Sequence, residues 1–161
     1  MNKKLRIYLD TSVINFLFAD DAPEKKEVTI DFFQNYLNDF EVYISEIVIQ
    51  EINKTNNKTK MELLLNTIQK YNIKIFDELN NDIKLLAENY LTQGIVPQKK
   101  MEDALHLAFA TYYEFDILLS WNFKHLANIN VQRKVVAFNL INGYNKQLLL
   151  LNPMEVVYDK G

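Results

Sequence analysis

Four residues with oxygen-bearing side chains stand where the chain could bring them together: Asp10, Glu51, Asp103 and Asn122. Asp10 directly follows a short β-prone run, Leu5 to Leu9. Glu51 lies about one and a half turns into a helical pattern that follows a second such run, Glu41 to Ile44. Asp103 falls in the first turn of the helical pattern from Met101, and Asn122, with Ser120, follows the apolar run Ile117 to Leu119. Three carboxylates within ~5 Å of one another repel by roughly 3 kcal/mol per pair at an effective dielectric near 20, so such a cluster needs a cation or shared protons. The chain has no cysteine, and His106 and His125 lack the spacing of zinc ligands. Hard oxygen donors select Mg²⁺ or Mn²⁺. An acid-lined cation site suits phosphoryl transfer, because the ion activates water and neutralises charge on the phosphate.

These side chains need a scaffold that gathers distant segments. The pattern predicts strands at Leu5 to Leu9, Glu41 to Ile44, Ile73 to Phe76, Ile117 to Ser120 and Leu148 to Leu151. Between them it predicts a helix capped by Thr11 or Ser12 and carrying Val13, Ile14, Phe16 and Leu17. Further helices run from Glu24 through Leu37, from the Ser45 cap through Ile52, and from Met61 through Ile68. The rest span Asn81 to Gln93, ending at Gly94, Met101 to Tyr113, and Val131 to Asn142, ending at Gly143. Asn152-Pro153 closes the last strand. Strands alternating with helices predict an α/β protein: a three-layer α/β/α sandwich with a mostly parallel central sheet. Right-handed crossovers place every strand's C-terminal end on one edge, where ligands of such sheets bind.

Composition excludes several alternatives. The length of 161 residues suits a single domain, 1–161. Without cysteine there is no disulfide frame or iron–sulfur cluster, and three glycines cannot build a dinucleotide or P-loop fingerprint. The apolar runs are too short to cross a membrane, and Asp10 interrupts the stretch after the basic start at Met1, so the expected compartment is the cytoplasm. A net charge of −3, from 18 basic and 21 acidic residues, argues against coating nucleic acid by bulk charge. It leaves room for an enzyme that acts on nucleic acid. Lys99, Lys100, Lys124 and Arg133 flank the expected crevice and are candidates to hold RNA phosphates.

Each acid also has a plainer reading. Asp10 could cap the first helix, Glu51 could face solvent, and Asp103, like Glu102, could serve a helix N-terminus. Asp116 reads as a turn residue, Trp121 as an aromatic plug at the sheet end, and the lysines as a solvated face. His106, at i+3 from Asp103, points toward the same side of its helix.

Four blocks then carry a family resemblance. Leu9-Asp10-Thr11-Ser12-Val13-Ile14, Ile44-Ser45-Glu46-Ile47-Val48-Ile49-Gln50-Glu51-Ile52, Glu102-Asp103-Ala104-Leu105-His106-Leu107-Ala108-Phe109-Ala110 and Asp116-Ile117-Leu118-Leu119-Ser120-Trp121-Asn122-Phe123 occur in order. Together they resemble the PIN-domain ribonucleases, and among bacterial members the VapC-like toxins of type II toxin–antitoxin systems. The resemblance implies an endoribonuclease dependent on Mg²⁺ or Mn²⁺, with Asp10, Glu51 and Asp103 as metal-binding acids. Asn122 stands where a further acid is common, and Thr11 and Ser120 lie beside the ligands. The resemblance also implies an RNA substrate, an antitoxin protein and a homodimer. Asn122 departs from the pattern, because its amide can coordinate but brings no charge. That departure motivates an alternative: a non-catalytic PIN-like module that binds RNA or protein through a degenerate metal site. Acid-nucleophile phosphatases are set aside, since they carry a second Asp two residues after the first, where this chain has Ser12.

Overall fold

Ile7 and Leu9 point to one side of the first strand and Tyr8 to the other, and all three are fully buried. A strand covered on both faces demands a layer of helices on each. The computed structural model, which describes residues 3–158, provides them. The order is β1 (Arg6–Leu9), α1 (Thr11–Asn15), α2 (Pro23–Asp31), β2 (Glu41–Ser45), α3 (Glu46–Asn53), α4 (Lys58–Lys70), β3 (Lys74–Phe76), α5 (Asn81–Thr92), α6 (Met101–Tyr112), β4 (Ile117–Leu119), α7 (Ile129–Ile141), β5 (Leu149–Leu151) and α8 (Pro153–Val156). Residues 1–2 and 159–161, on which the expected basic start and the far end of the expected 1–161 domain fall, lie outside the described residues.

The five strands form one sheet in the order β3-β2-β1-β4-β5. Every described pairing is parallel, with Leu9 opposite Leu119 and Ser45 opposite Phe76 at the C-terminal edge. On one face Tyr8, Leu118 and Leu150 pack against α5, α6 and α7 through Ile83, Tyr90, Leu107 and Val135. On the other face Ile7, Leu9, Ile44 and Leu119 pack against α1, α3 and α4 through Val13, Val48, Ile52 and Leu64. This is the three-layer α/β/α architecture expected from the alternation of elements, with a wholly parallel sheet.

The chain winds from β1 outward to β2 and β3, then returns past β1 to β4 and β5 on the other side. The direction of winding therefore reverses between β1 and β4. Helices leave the sheet in opposite directions there, and their divergence opens a crevice above the strand ends.

Several boundaries differ from the sequence expectation. The helix expected from Glu24 through Leu37 is α-helical only over Pro23–Asp31, then passes through a π-helical turn at Phe32–Tyr36 and a 3₁₀ turn at Leu37–Asp39. Phe32, Phe33, Tyr36 and Leu37 are all buried across this stretch. α4 starts at Lys58, where Asn57 accepts from the Lys60 N–H at 3.1 Å, three residues before the first apolar position at Met61. α7 likewise begins at Ile129 under an Asn128 cap, ahead of the expected Val131. Asn152 does more than close β5, because its side chain and that of Glu155 form a capping box that starts α8.

Asp116 ties down the opposite edge of the sheet. Its Oδ2 accepts from the Arg6 backbone N–H at 2.8 Å, and its Oδ1 meets Lys146 Nζ at 2.6 Å. Burial raises its pKa, but the Lys146 contact, the Arg6 N–H and both cationic charges outweigh that and hold the carboxyl below its usual range. A lowered folded-state pKa gives stability that is present above the unfolded value of about 4 and is lost as pH falls through the folded value. Asp116→Asn is therefore expected to cost about 1–2 kcal/mol at neutral pH. Urea unfolding at pH 7 and pH 3 checks this: the gap between variant and wild type should shrink at the lower pH.

Candidate active site

β1 and β4 run side by side, so the residues that follow them emerge next to each other at the winding reversal. The Asp10 N–H continues the ladder to Leu119 O at 3.2 Å, and the Ser120 N–H continues it to Leu151 O at 2.9 Å. Asp10 and Ser120 are thereby neighbours, and Ser120 Oγ donates to Asp10 Oδ2 at 2.5 Å. Asp10 Oδ1 accepts from both the backbone N–H of Ser12, at 3.1 Å, and its hydroxyl, at 2.5 Å. Asp10 is thus the N-cap of α1, in place of the expected Thr11 or Ser12, because its extended backbone is the last non-helical residue. The capping contact and a place in the acid cluster coexist in one side chain.

The two serines also accept. Ser12 Oγ takes the Trp121 N–H and Ser120 Oγ takes the Asn122 N–H, each at 2.9 Å. Both strand ends are bound into one turn beneath Asp10. Trp121 is buried, its indole N–H donating to Thr29 Oγ1 at 2.9 Å, which is the plug expected from sequence.

Glu51 reaches the same place from α3. Ser45 caps that helix by accepting the Ile47 N–H at 3.1 Å. Glu51 Oε1 lies 2.7 Å from His106 Nε2, and His106 Nδ1 lies 2.6 Å from the Tyr8 hydroxyl. Asp103, one turn before His106 on α6, has its Oδ2 3.2 Å from Asn122 Nδ2. Asn122 Oδ1 accepts from the His125 N–H at 3.0 Å. Tyr8 from β1 and Glu51 from α3 therefore meet the buried imidazole of His106 on α6, and Asp103 and Asn122 meet each other.

The electrostatics follow from that burial. Burial pushes the Asp10 carboxyl up, against the His106 charge and the two serine hydroxyls, and Glu51 adds to the rise. Burial likewise raises Asp103, opposed by His106, His125 and Lys100 and reinforced by Glu51. Burial also raises Glu51, but the His106 hydrogen bond and charge, then Thr11 and Lys54, outweigh it and lower its pKa. Burial opposes charge on His106, yet its contact with Glu51 and the charges of Glu51, Asp10 and Asp103 together raise its pKa. The three acids lie within electrostatic reach of one ring, and their negative charge is spread over imidazole, hydroxyl and amide donors.

The donor set suits a hard divalent cation in kind: three carboxylates and an amide oxygen. Thr11 is buried beside Glu51, and its hydroxyl is close enough to favour the charged form of that carboxylate. Among the described residues, no three His, Asp or Glu side chains already form a ligand cage. The carboxylates are instead turned onto protein donors. The two Ser12 contacts fill the acceptor sites of Asp10 Oδ1, whereas Asp10 Oδ2, Glu51 Oε1 and Asp103 Oδ2 each carry one of these contacts and keep acceptor capacity.

Of the residues singled out from sequence, Asp10, Glu51, Asp103, Asn122, Thr11 and Ser120 come together. Lys100 is exposed but near enough to influence Asp103. Lys99, Lys124 and Arg133 are exposed. Glu46 is exposed and bonded to Gln50, and Glu102 is exposed and paired with Lys54, so neither joins the cluster. The sequence reading missed Tyr8 and the second task of Ser12. His106 carried a signal in its i+3 spacing from Asp103, whereas its partners come from other segments.

Comparisons with known proteins place the fold and the family. No curated protein matches the sequence. Among solved structures, the crystal structure of VapBC2 from Rickettsia felis bound to a DNA fragment from their promoter is similar in fold. Its TM-score is 0.56 at 17% sequence identity, over 92% of this chain and 98% of that one. A family model described as PIN domain matches residues 7–127, a stretch that contains every member of the acid cluster. On that match and the winding of its sheet, the chain belongs to the PIN-domain family.

Proposed function

We propose that this protein is an endoribonuclease that hydrolyses RNA phosphodiester bonds with Mg²⁺ or Mn²⁺, as the toxin of a toxin–antitoxin pair. The observation that carries the reading is the convergence of Asp10, Glu51, Asp103 and Asn122 at the reversal between β1 and β4. A divalent cation, when bound, supplies an activated water and offsets charge on the phosphate. Asp10, Glu51 and Asp103 are the residues that would hold it, with Asn122 adding an uncharged oxygen. Ser120 steadies Asp10, and Thr11 stands beside Glu51. Lys100, with Lys99, Lys124 and Arg133 around the rim, would hold the flanking phosphates.

The toxin assignment rests on the family resemblance of the four sequence blocks and on the fold shared with VapBC2. It brings with it an antitoxin partner, a homodimer and a cytoplasmic setting as parts of the same reading. No helix among the described residues is long and apolar enough to cross a membrane.

The test is cleavage of a mixed RNA pool by purified protein with Mn²⁺, with Mg²⁺, and after chelation. Internal cuts with either ion and at least about 100-fold slower cutting after chelation are expected. Cleavage that survives chelation overturns the metal-dependent reading. The amide of Asn122 facing Asp103, where a carboxylate is common, favours the second reading of a binding module. Mn²⁺ binding in calorimetry without any cleavage selects that module.

A further inference from the structure

We propose that His106 is a positioning residue that clamps one oxygen of Glu51, so that Glu51 presents its other oxygen to the cation. The inference rests on the reading of Asp10, Glu51 and Asp103 as cation ligands. It starts from a difference among those three. Asp10 is held by its place at a strand end and by two serines. Glu51 projects from a helix on a longer side chain, whose freedom costs up to about 2 kcal/mol to remove. It also faces repulsion from Asp10 and Asp103, while Lys54, which pairs with Glu102, attracts it. Without a partner, nothing would fix Glu51 beside the other acids against that repulsion.

His106 opposes this. The ring is 2% exposed, and its Nε2 meets Glu51 Oε1 at 2.7 Å. Its other nitrogen meets the fully buried Tyr8 hydroxyl at 2.6 Å, and that hydroxyl meets Ser45 Oγ at 2.7 Å. Ser45 is the N-cap of α3, the helix that carries Glu51. The contacts close a loop: Glu51 to His106 on α6, to Tyr8 on β1, to Ser45, and back along α3. The clamp is therefore referenced to the first turn of Glu51's own helix, and the ring cannot drift without breaking a buried contact. Groups that hold ligands in this way commonly change metal affinity 10–100-fold when removed.

The experiment measures Mn²⁺ binding by calorimetry on the full chain. The variants are His106→Gln, whose amide can reach the position of Nε2, His106→Asn, which reaches only Nδ1, and His106→Leu, which fills the space without a donor. Affinity is expected to fall at least 10-fold in the Leu and Asn variants and to stay within about 3-fold of wild type in the Gln variant. In a Glu51→Gln background, His106→Leu should cause no further loss, because the group it positions is already changed. A merely structural role predicts losses that add in the double variant and no rescue by Gln. Equal affinity in wild type and in the Asn or Leu variant overturns the proposal and leaves the cation site standing. Absence of Mn²⁺ binding to wild type overturns both. If the Leu variant does not fold, the Gln and Asn pair decides, since the two differ in which ring nitrogen they replace.

Discussion

Asp10→Asn is expected to slow RNA cleavage by at least about 100-fold while the protein remains folded. The two halves of this expectation have separate causes. A cation held by three carboxylates loses a full charge when one becomes an amide, at the residue nearest the reversal of the sheet. The fold loses little, because the amide oxygen can still accept both contacts from Ser12 at the head of α1. The new NH₂ would face Ser120 Oγ, which now donates. That hydroxyl can rotate and accept instead. Burial opposes charge on Asp10, so replacing it with a neutral group removes a cost of folding. Stability is expected to stay within about 1 kcal/mol of wild type or to rise. Single-turnover cleavage beside thermal melts checks both halves, and an unchanged rate in purified variant removes Asp10 from the chemistry.

Asn122→Asp is expected to move metal-free stability and cation affinity in opposite directions. Asn122 Nδ2 lies 3.2 Å from Asp103 Oδ2, and the substitution puts a second carboxylate oxygen there. Two full charges about 4 Å apart repel by about 4 kcal/mol at an effective dielectric of 20, before side chains rotate or take up a proton. A metal-free loss of about 1–3 kcal/mol is expected after that relaxation. Contact with the His125 N–H can survive, since it uses only the oxygen that both residues share. With Mn²⁺ the added charge becomes a ligand, and affinity is expected to rise about 10-fold or more. Thermal melts with and without Mn²⁺ should show a larger metal-induced rise in the variant than in wild type. If neither melting nor affinity changes, Asn122 does not share the site with Asp103.

Local signals located most of the scaffold. The apolar runs at Ile7 to Leu9 and at Ile117 to Leu119 are visible in the sequence. A buried strand leaves that mark whatever surrounds it. Helix starts were less legible at Lys58, where the Asn57 cap precedes the first apolar residue, Met61, by several positions, and at Ile129, which is apolar but exposed and so lies off the buried face. The π-helical turn at Phe32–Tyr36 had no local signature, since it answers to the packing of aromatics against a sheet built from other segments.

The sequence alone determined that the chain alternates strands and helices, and that Asp10, Asp103 and Asn122 fall beside strand ends or a helix start, because spacing along one segment sets those positions. Only the tertiary structure decided that Asp10 caps α1 while bonding Ser120 across 110 positions, and that His106 joins Glu51 to Tyr8. Those contacts exist because five parallel strands end on one edge and their winding reverses between β1 and β4. Which side chains then meet is set by register between strands distant in sequence, a relation that no single segment carries.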